Sequence, residues 1–109
     1  MAKERERSWK IMFDYVDFQH REGSIKDREL KLFALSTCGF CKKAMAFLEE
    51  NNLDYEYIFV DLIDSEVKNK IKADFEKRFE KKMLFPTLIV DDEEFLVGFI
   101  KFYWQKLAA

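Results

Sequence analysis

Most of the structural information lies in the stretch Leu30-Lys31-Leu32-Phe33-Ala34-Leu35-Ser36-Thr37-Cys38-Gly39-Phe40-Cys41. Its first half is short, apolar and rich in large side chains, which predicts a buried strand that ends at Ser36-Thr37. Its second half sets two cysteines at the start of a predicted amphipathic helix. The apolar positions on one face of that helix are Phe40, Ala44, Phe47 and Leu48. Asn51-Asn52 supply its stop signal.

A Cys-x-x-Cys pair between a strand and a helix indicates a reversible dithiol/disulfide centre. Cys38 and Cys41 are the only two cysteines in the chain, and His20 is the only histidine. Because a structural zinc site needs four ligands, a metal site within one chain is disfavoured. A metal or cluster shared by two chains stays open, as does the interpretation of two incidental buried cysteines.

The placement of Cys38 indicates its chemical role. A thiol at a helix N-terminus faces unpaired backbone N–H groups and the positive end of the helix dipole, and both favour the thiolate. We therefore expect Cys38 to be the nucleophile and Cys41, one turn further in, to be the resolving thiol. Lys42 and Lys43 add positive charge to the first turns, although ordinary solvated helix charge is an equal alternative.

Composition sets limits on the class of protein. The chain has 109 residues, 49% of them apolar, which suits one small domain with one core. Its 19 basic and 21 acidic residues leave a net charge of −2, so nucleic-acid binding is not expected. No apolar run approaches a membrane span, and the N-terminus lacks the apolar stretch of a signal peptide. We expect a cytoplasmic protein whose cysteine pair is kept mostly reduced.

The remaining segments predict a mixed α/β order. Tyr55 to Asp61 is aromatic and β-branched, which indicates a second strand, parallel to the first. A long helix capped by Asp64 or Ser65 follows. Two short strands around Asp91-Asp92-Glu93 predict a hairpin. A last helical segment, Phe99 to Leu107, has Phe99, Phe102, Tyr103 and Lys106 at helical spacing.

The first 29 residues form an N-terminal extension. Its stretch Trp9 to Phe18 fits a helix with a broad apolar face, and it also alternates as a strand does, so periodicity leaves both open. Aromatic and β-branched content, with Gly23-Ser24 following as a turn, favours an extra strand or extended arm against the domain edge. The arm either adds a layer of core, which is favoured, or forms a dimer or partner surface. His20 is assigned no catalytic role.

The order βαβαββα from residue 30 onward resembles the thioredoxin fold and, within it, the glutaredoxin family. Three motifs carry the resemblance, and they are Leu35-Ser36-Thr37-Cys38-Gly39-Phe40-Cys41-Lys42-Lys43, Phe85-Pro86-Thr87 and Val97-Gly98-Phe99. They are most similar to short glutaredoxin-like redoxins, including those that serve ribonucleotide reductase. The resemblance implies an α/β three-layer sandwich over residues 30–109, preceded by the extension over residues 1–29.

The resemblance also implies an activity and a set of site residues. The activity is that of a thiol–disulfide oxidoreductase, an electron carrier that reduces protein disulfides. Pro86 is expected to be cis and to line a substrate groove with Phe85, while Gly98 belongs to the same groove. Two interpretations of Phe40 have equal weight: its ring lines the substrate groove, or it is a plain core residue. The residues assigned a modulating role are Thr37, Lys42 and Lys43.

The electron donor is the least determined part of this prediction. Glutaredoxins that bind glutathione typically carry Lys three residues before the first Cys and acidic residues before the last helix. Here Leu35 and Phe99-Ile100-Lys101 stand at those places. A protein reductase is therefore favoured, while Lys42 or Lys43 keeps glutathione open as the reductant. We expect a monomer with no bound cofactor or metal and with a protein disulfide, such as that of ribonucleotide reductase, as substrate.

The second functional hypothesis is an iron–sulfur cluster carrier. Glutaredoxins with Cys-Gly-Phe-Ser resemble this motif at three of its four positions, and they bridge a cluster between two chains with one Cys each plus glutathione. Cys41, where that class has Ser, and the missing glutathione anchors both favour the oxidoreductase.

Overall fold

The central strand of the protein is the apolar run that precedes the cysteine pair. The computed structural model describes residues 12–108. Strand β2 (Leu30–Ala34) pairs in parallel with β3 (Tyr55–Phe59) and antiparallel with β4 (Thr87–Val90). Strands β1 (Gln19–Arg21) and β5 (Glu94–Val97) lie outside these, giving the order β1-β3-β2-β4-β5. Every residue of β2 is buried, as expected for a strand covered on both faces.

Three helices connect and flank these strands. Helix α1 (Gly39–Glu50) follows β2, and α2 (Ser65–Phe79) follows β3. Asp64 caps α2 by accepting a hydrogen bond from the Glu66 N–H at 3.0 Å. Helix α3 (Lys101–Trp104) comes after the hairpin and runs into a 3-10 turn, Gln105–Ala108. The order βαβαββα is therefore confirmed. None of the helices within residues 12–108 has the length and apolarity needed to span a membrane.

The core is divided by the sheet into two apolar clusters. Leu32 and Ala34 of β2 pack in one cluster with α1 and the C-terminal segment, whereas Phe33 packs in the other with Ile71 and Phe75 of α2. Neighbouring strand residues point to opposite faces. The result is a three-layer sandwich with α1 and α3 on one face and α2 on the other, as predicted.

The described part of the N-terminal extension packs on the α2 face. Residues 12–16 form turns, and Phe13 has a positive φ of 62°, so the alternation at Phe13 and Tyr15 does not produce a strand. Phe13 and Val16 are buried, and the Phe13 ring meets Phe33 edge-on at 4.9 Å. Tertiary packing has overridden β-propensity. The strand of the extension is β1, which pairs antiparallel with β3 at Gln19–Arg21; residues 1–11 lie outside the described part.

Two side chains hold the extension in place. The Tyr15 hydroxyl donates to the Asp74 carboxylate of α2 at 2.7 Å. His20, in β1, lies 2.9 Å from Asp54, whose carboxylate also accepts the Gly23 N–H at 3.0 Å. The hydrogen bond to His20 lowers the pKa of Asp54. His20 therefore has a structural role, because it joins β1 to Asp54.

The hairpin turn is tied to the start of β2 through a buried lysine. Asp91 and Asp92 both have positive φ, 55° and 57°, and the Asp91 N–H donates to the Glu29 carbonyl at 2.8 Å. The Lys31 side chain, only 6% exposed, places its Nζ 3.0 Å from Asp92 and 3.6 Å from Glu29. The buried ammonium group of Lys31, in a central strand, is therefore paired with carboxylates.

The C-terminal segment turns only some of its aromatic residues toward the core. Phe102 and Tyr103 are exposed, whereas Trp104 and Leu107 are buried. Trp104 donates its indole N–H to the Gly98 carbonyl at 3.0 Å, which fixes the helix with this side chain inward. Helical spacing alone could not show which of two aromatic faces meets the core, because both contain large apolar residues.

Candidate active site

Cys38 is the N-cap residue of α1, with φ −91° and ψ 123°. Its Sγ accepts the backbone N–H of Cys41 at 3.2 Å, and its carbonyl accepts the Lys42 N–H at 3.1 Å. The sulfur therefore takes the place that a Ser or Asp oxygen has in an ordinary N-cap, satisfying an N–H group at the positive end of the helix. Cys38 is half-buried and is a free thiol.

Cys41 is the second free thiol and is completely buried. Its Sγ accepts the Leu35 N–H at 3.4 Å. Burial, followed by the hydrogen bond with Cys38, raises the pKa of the Cys41 thiol to about 12. The two cysteines are thus close together and differ sharply in exposure, so Cys41 is protonated at neutral pH.

The Phe85-Pro86-Thr87 segment lies beside the end of β2, from which the chain turns into Cys38. Thr87 pairs with Phe33 in the β2–β4 register. The Phe85–Pro86 peptide bond is cis, which agrees with the isomer expected for Pro86. Pro86 is buried and Phe85 is half-buried. The hydroxyl of Thr87 donates to the Leu84 carbonyl and closes the turn.

Gly98 links this loop to the C-terminal helix. Its N–H donates to the Pro86 carbonyl at 2.7 Å, and its carbonyl accepts the Trp104 indole N–H at 3.0 Å. Gly98 has φ 72°, a conformation in which a side chain would be strained. The structure therefore brings Gly98 and Pro86 together, and it explains why glycine stands at this position.

The flanking residues of the motif are exposed. The Phe40 ring is 61% exposed, so the alternative of a plain core residue is wrong for it. Phe40 lies in the first turn of α1, one turn before Ala44 on the same helical face, and its ring is exposed while Ala44, Phe47 and Leu48 are buried. Thr37, Lys42 and Lys43 are also exposed, and Lys43 Nζ lies 5.5 Å from the Phe40 ring centre.

Two residues beside the site motifs were not singled out from the sequence. Asp61, just after β3, accepts two hydrogen bonds from Ser36, and these lower the pKa of its carboxyl. Lys72 of α2 places its Nζ 5.9 Å from the Phe85 ring centre. A signal for Asp61 was present, because carboxyl ends of parallel strands meet at one edge of a sheet. Lys72 had no such signal in the sequence, because it is one of several lysines on α2.

Over residues 12–108, no three His, Cys, Asp or Glu side chains gather closely enough to hold a metal ion. Any cluster held through Cys38 would therefore need ligands from outside this part of the chain.

Comparisons with known proteins place the site in context. The glutaredoxin family model matches residues 30–95, more than half of the chain. The crystal structure of methanoredoxin from Methanosarcina acetivorans is similar to this chain, with 30% identity, a TM-score of 0.74, and coverage of 84% of this chain and 95% of that one. No curated protein matches the sequence.

Two further glutaredoxin structures share the fold at lower identity. The glutaredoxin of Methanosarcina mazei Go1 has 24% identity and a TM-score of 0.73, covering 86% of this chain and 89% of that one. The glutaredoxin of Archaeoglobus fulgidus has 22% identity and a TM-score of 0.64, covering 74% of this chain and 86% of that one.

Proposed function

Because the chain belongs to the glutaredoxin family, whose members carry out thiol redox chemistry, we propose that it is a thiol–disulfide oxidoreductase that reduces protein disulfides through Cys38 and Cys41. One observation carries the proposal: the helix-capping thiol is accessible, while its neighbour three residues on is completely buried. Such a pair can be attacked from outside at one sulfur only, which gives the exchange a defined order.

The reaction proceeds in two exchanges. The Cys38 thiolate attacks one sulfur of the substrate disulfide, the substrate S–S bond breaks, and the second substrate sulfur leaves and takes up a proton. Cys41 then attacks Cys38 Sγ and gives up its proton, which the departing substrate sulfur takes up. The mixed disulfide breaks, and the remaining substrate sulfur leaves as a thiol. Two electrons have passed to the substrate, and a Cys38–Cys41 disulfide remains for a separate reductant to reduce.

A protein is the better candidate for the electron donor. Three exposed apolar side chains stand in or next to the site motifs, and they are Phe40, Leu84 and Ile100. Exposed apolar side chains favour contact with another protein surface. Leu35, at the place of the family's basic glutathione anchor, packs against the core of the α2 face. Glutathione would then depend on Lys42 or Lys43, both exposed.

Trapping of the mixed disulfide tests the proposal. In the Cys41→Ser variant the first exchange still occurs but the second cannot, so partners should stay bound to Cys38 in cell extract and be released by dithiothreitol. Ribonucleotide reductase and a flavin- or cluster-dependent reductase are the candidates to identify by mass spectrometry. The matched control, Cys38→Ser, keeps the buried thiol and should trap nothing.

Two results would contradict the oxidoreductase. Equal trapping by Cys38→Ser would overturn the assignment of the nucleophile. A brown protein with visible absorbance after anaerobic purification, which traps no partner as Cys41→Ser, would instead indicate the cluster carrier.

A further inference from the structure

Ser36 and Asp61 form a contact outside the Cys-x-x-Cys motif that ties the turn before Cys38 to the end of β3. The backbone N–H of Ser36 donates to Asp61 Oδ1 at 2.9 Å, and the Ser36 hydroxyl donates to Oδ2 at 2.5 Å. One residue thus uses both carboxylate oxygens. Hydrogen bonds to an ionised carboxylate are stronger than those between neutral groups, and the two bonds from Ser36 lower the pKa of Asp61.

The turn held by this contact is bonded to both cysteines. The Leu35 N–H donates to Cys41 Sγ at 3.4 Å, and the Leu35 carbonyl accepts the Cys38 N–H at 3.3 Å. Asp61 itself is fixed, because the preceding Val60 N–H donates to the Ala34 carbonyl of β2 at 3.0 Å. A displacement of Ser36 from β3 would therefore move the groups that orient the two sulfurs.

We propose that Asp61 is a positioning residue for the dithiol, which by holding Ser36 keeps Cys38 and Cys41 in the arrangement from which their disulfide closes. The inference rests on the proposed function, since it gives Asp61 a part in the same thiol exchange. Asp61 contacts neither sulfur and acts through the Leu35–Cys38 turn. Two thiols held in a fixed arrangement react with each other at a high effective concentration, so a looser turn destabilises the disulfide relative to the dithiol.

The charge of Asp61 is a second sign that it acts on the pair. Its carboxylate contributes to the raised pKa of Cys41, although burial is the largest cause. A negative charge beside a thiol disfavours the thiolate. This effect is separate from the two hydrogen bonds to Ser36, which carry the proposal.

The equilibrium of the full chain with glutathione tests this role without any protein substrate. Two glutathione molecules lose two electrons and two protons and form glutathione disulfide, while the Cys38–Cys41 bond breaks and two thiols form. The ratio of dithiol to disulfide protein is read by alkylation and mass spectrometry at fixed glutathione ratios. We expect Asp61→Ala to shift this ratio toward the dithiol by about fivefold, the value of roughly one hydrogen bond.

Two milder variants should give smaller shifts of the dithiol-to-disulfide ratio. Ser36→Ala keeps the backbone donor and loses only the hydroxyl, so its shift should be smaller than that of Asp61→Ala. Asp61→Asn keeps an acceptor for one of the two donors and should also lie between wild type and Asp61→Ala. Because both are mild changes, they carry the test if Asp61→Ala does not fold.

The matched control is Asp64→Ala. Asp64 is an exposed aspartate that caps α2 through the Glu66 N–H at 3.0 Å and does not contact the turn. Its loss should lower the thermal midpoint and leave the glutathione equilibrium unchanged. If the Asp61 variants lower the midpoint but keep the wild-type equilibrium, Asp61 only stabilises the fold and the proposal is overturned. Failure to trap a protein partner would overturn the proposed function and leave this equilibrium as measured.

Discussion

Cys38 and Cys41 are separated by two residues and by one turn of helix, and yet their surroundings have little in common. Cys38 Sγ replaces the oxygen of an N-cap, with one N–H group directed at it. Cys41 Sγ is enclosed by apolar residues of α1, β2 and the C-terminal segment. Burial in apolar surroundings disfavours the thiolate. The position of each cysteine on α1, together with the core packed against the helix, therefore separates two chemically identical side chains into an accessible thiol and a protected one.

Selective alkylation follows at the residue scale. With a pKa of about 12, roughly one Cys41 in ten thousand is a thiolate at pH 8, and only the thiolate reacts. Iodoacetamide should therefore add one group to the reduced, folded protein, on Cys38, and two groups in denaturant. The number and site of added groups are read by mass spectrometry.

The single-cysteine variants provide the control for this alkylation. Cys41→Ser should still take one group, and Cys38→Ser should take none until it unfolds. Rapid modification of Cys41 in the folded protein would contradict its burial and its raised pKa.

At the scale of elements, the sequence predicted most of what the structure contains, because most elements have strong local signals. Helix α2 begins at a capping aspartate, and β4 and β5 flank an acidic turn. The difficult cases were segments whose outcome depends on distant contacts. Phe13 and Tyr15 alternate like a strand, yet Phe13 packs on Phe33 and both residues lie in turns. In the C-terminal segment, the bond from Trp104 to Gly98 determines the buried face.

The residues of the site also fall into those with a local sequence signal and those without one. Cys38, Cys41 and Pro86 could be identified because short motifs mark them in the sequence. Asp61 could not be ranked, because its role depends on two bonds to a residue on another strand's loop. Lys31 is a similar case: nothing local shows that a strand lysine meets Asp92 in the hairpin turn.

The hairpin contact predicts a stability effect at the element scale. Asp92→Asn removes the nearest negative charge from the buried Lys31 and keeps a residue that tolerates positive φ. We expect the free energy of unfolding to fall by about 2 kcal/mol, since a buried charge loses its partner. Urea denaturation measures this change.

A double variant separates the cost of an unpaired charge from the cost of altering the turn. Lys31→Met/Asp92→Asn removes both charges and should recover most of the lost stability. If the double variant is as unstable as Asp92→Asn, the ion pair is not the cause of the loss.

At the scale of the whole molecule, the sheet separates the cysteine pair from the described part of the N-terminal extension. The dithiol lies at the start of α1, on one face, whereas the extension covers the α2 face through Phe13 and Val16. Tyr15 adds a hydrogen bond to Asp74 of α2. The described part of the extension therefore adds to the core on the α2 face, and the cysteine pair lies with the cluster on the other face of the sheet.

Truncation of Phe13 tests this division. The ring is only 3% exposed, and Phe13→Ala should lower the free energy of unfolding by about 3 kcal/mol or more. Phe102→Ala, at a 69% exposed ring, is the matched control and should change it by less than about 0.5 kcal/mol. Chemical denaturation measures both. The alkylation pattern of the cysteines should stay that of the wild type while Phe13→Ala is folded, and a change would show that the two layers are coupled.

Strand β1 has a consequence for self-association. It covers the outer side of β3 with only three residues, all of them polar and exposed. Strand β5, the edge on the other side of the sheet, has four residues and begins with the exposed Glu94. Short edges that carry polar side chains are poor templates for further strands. Among the described residues, both edges of the sheet therefore resist pairing with a second sheet.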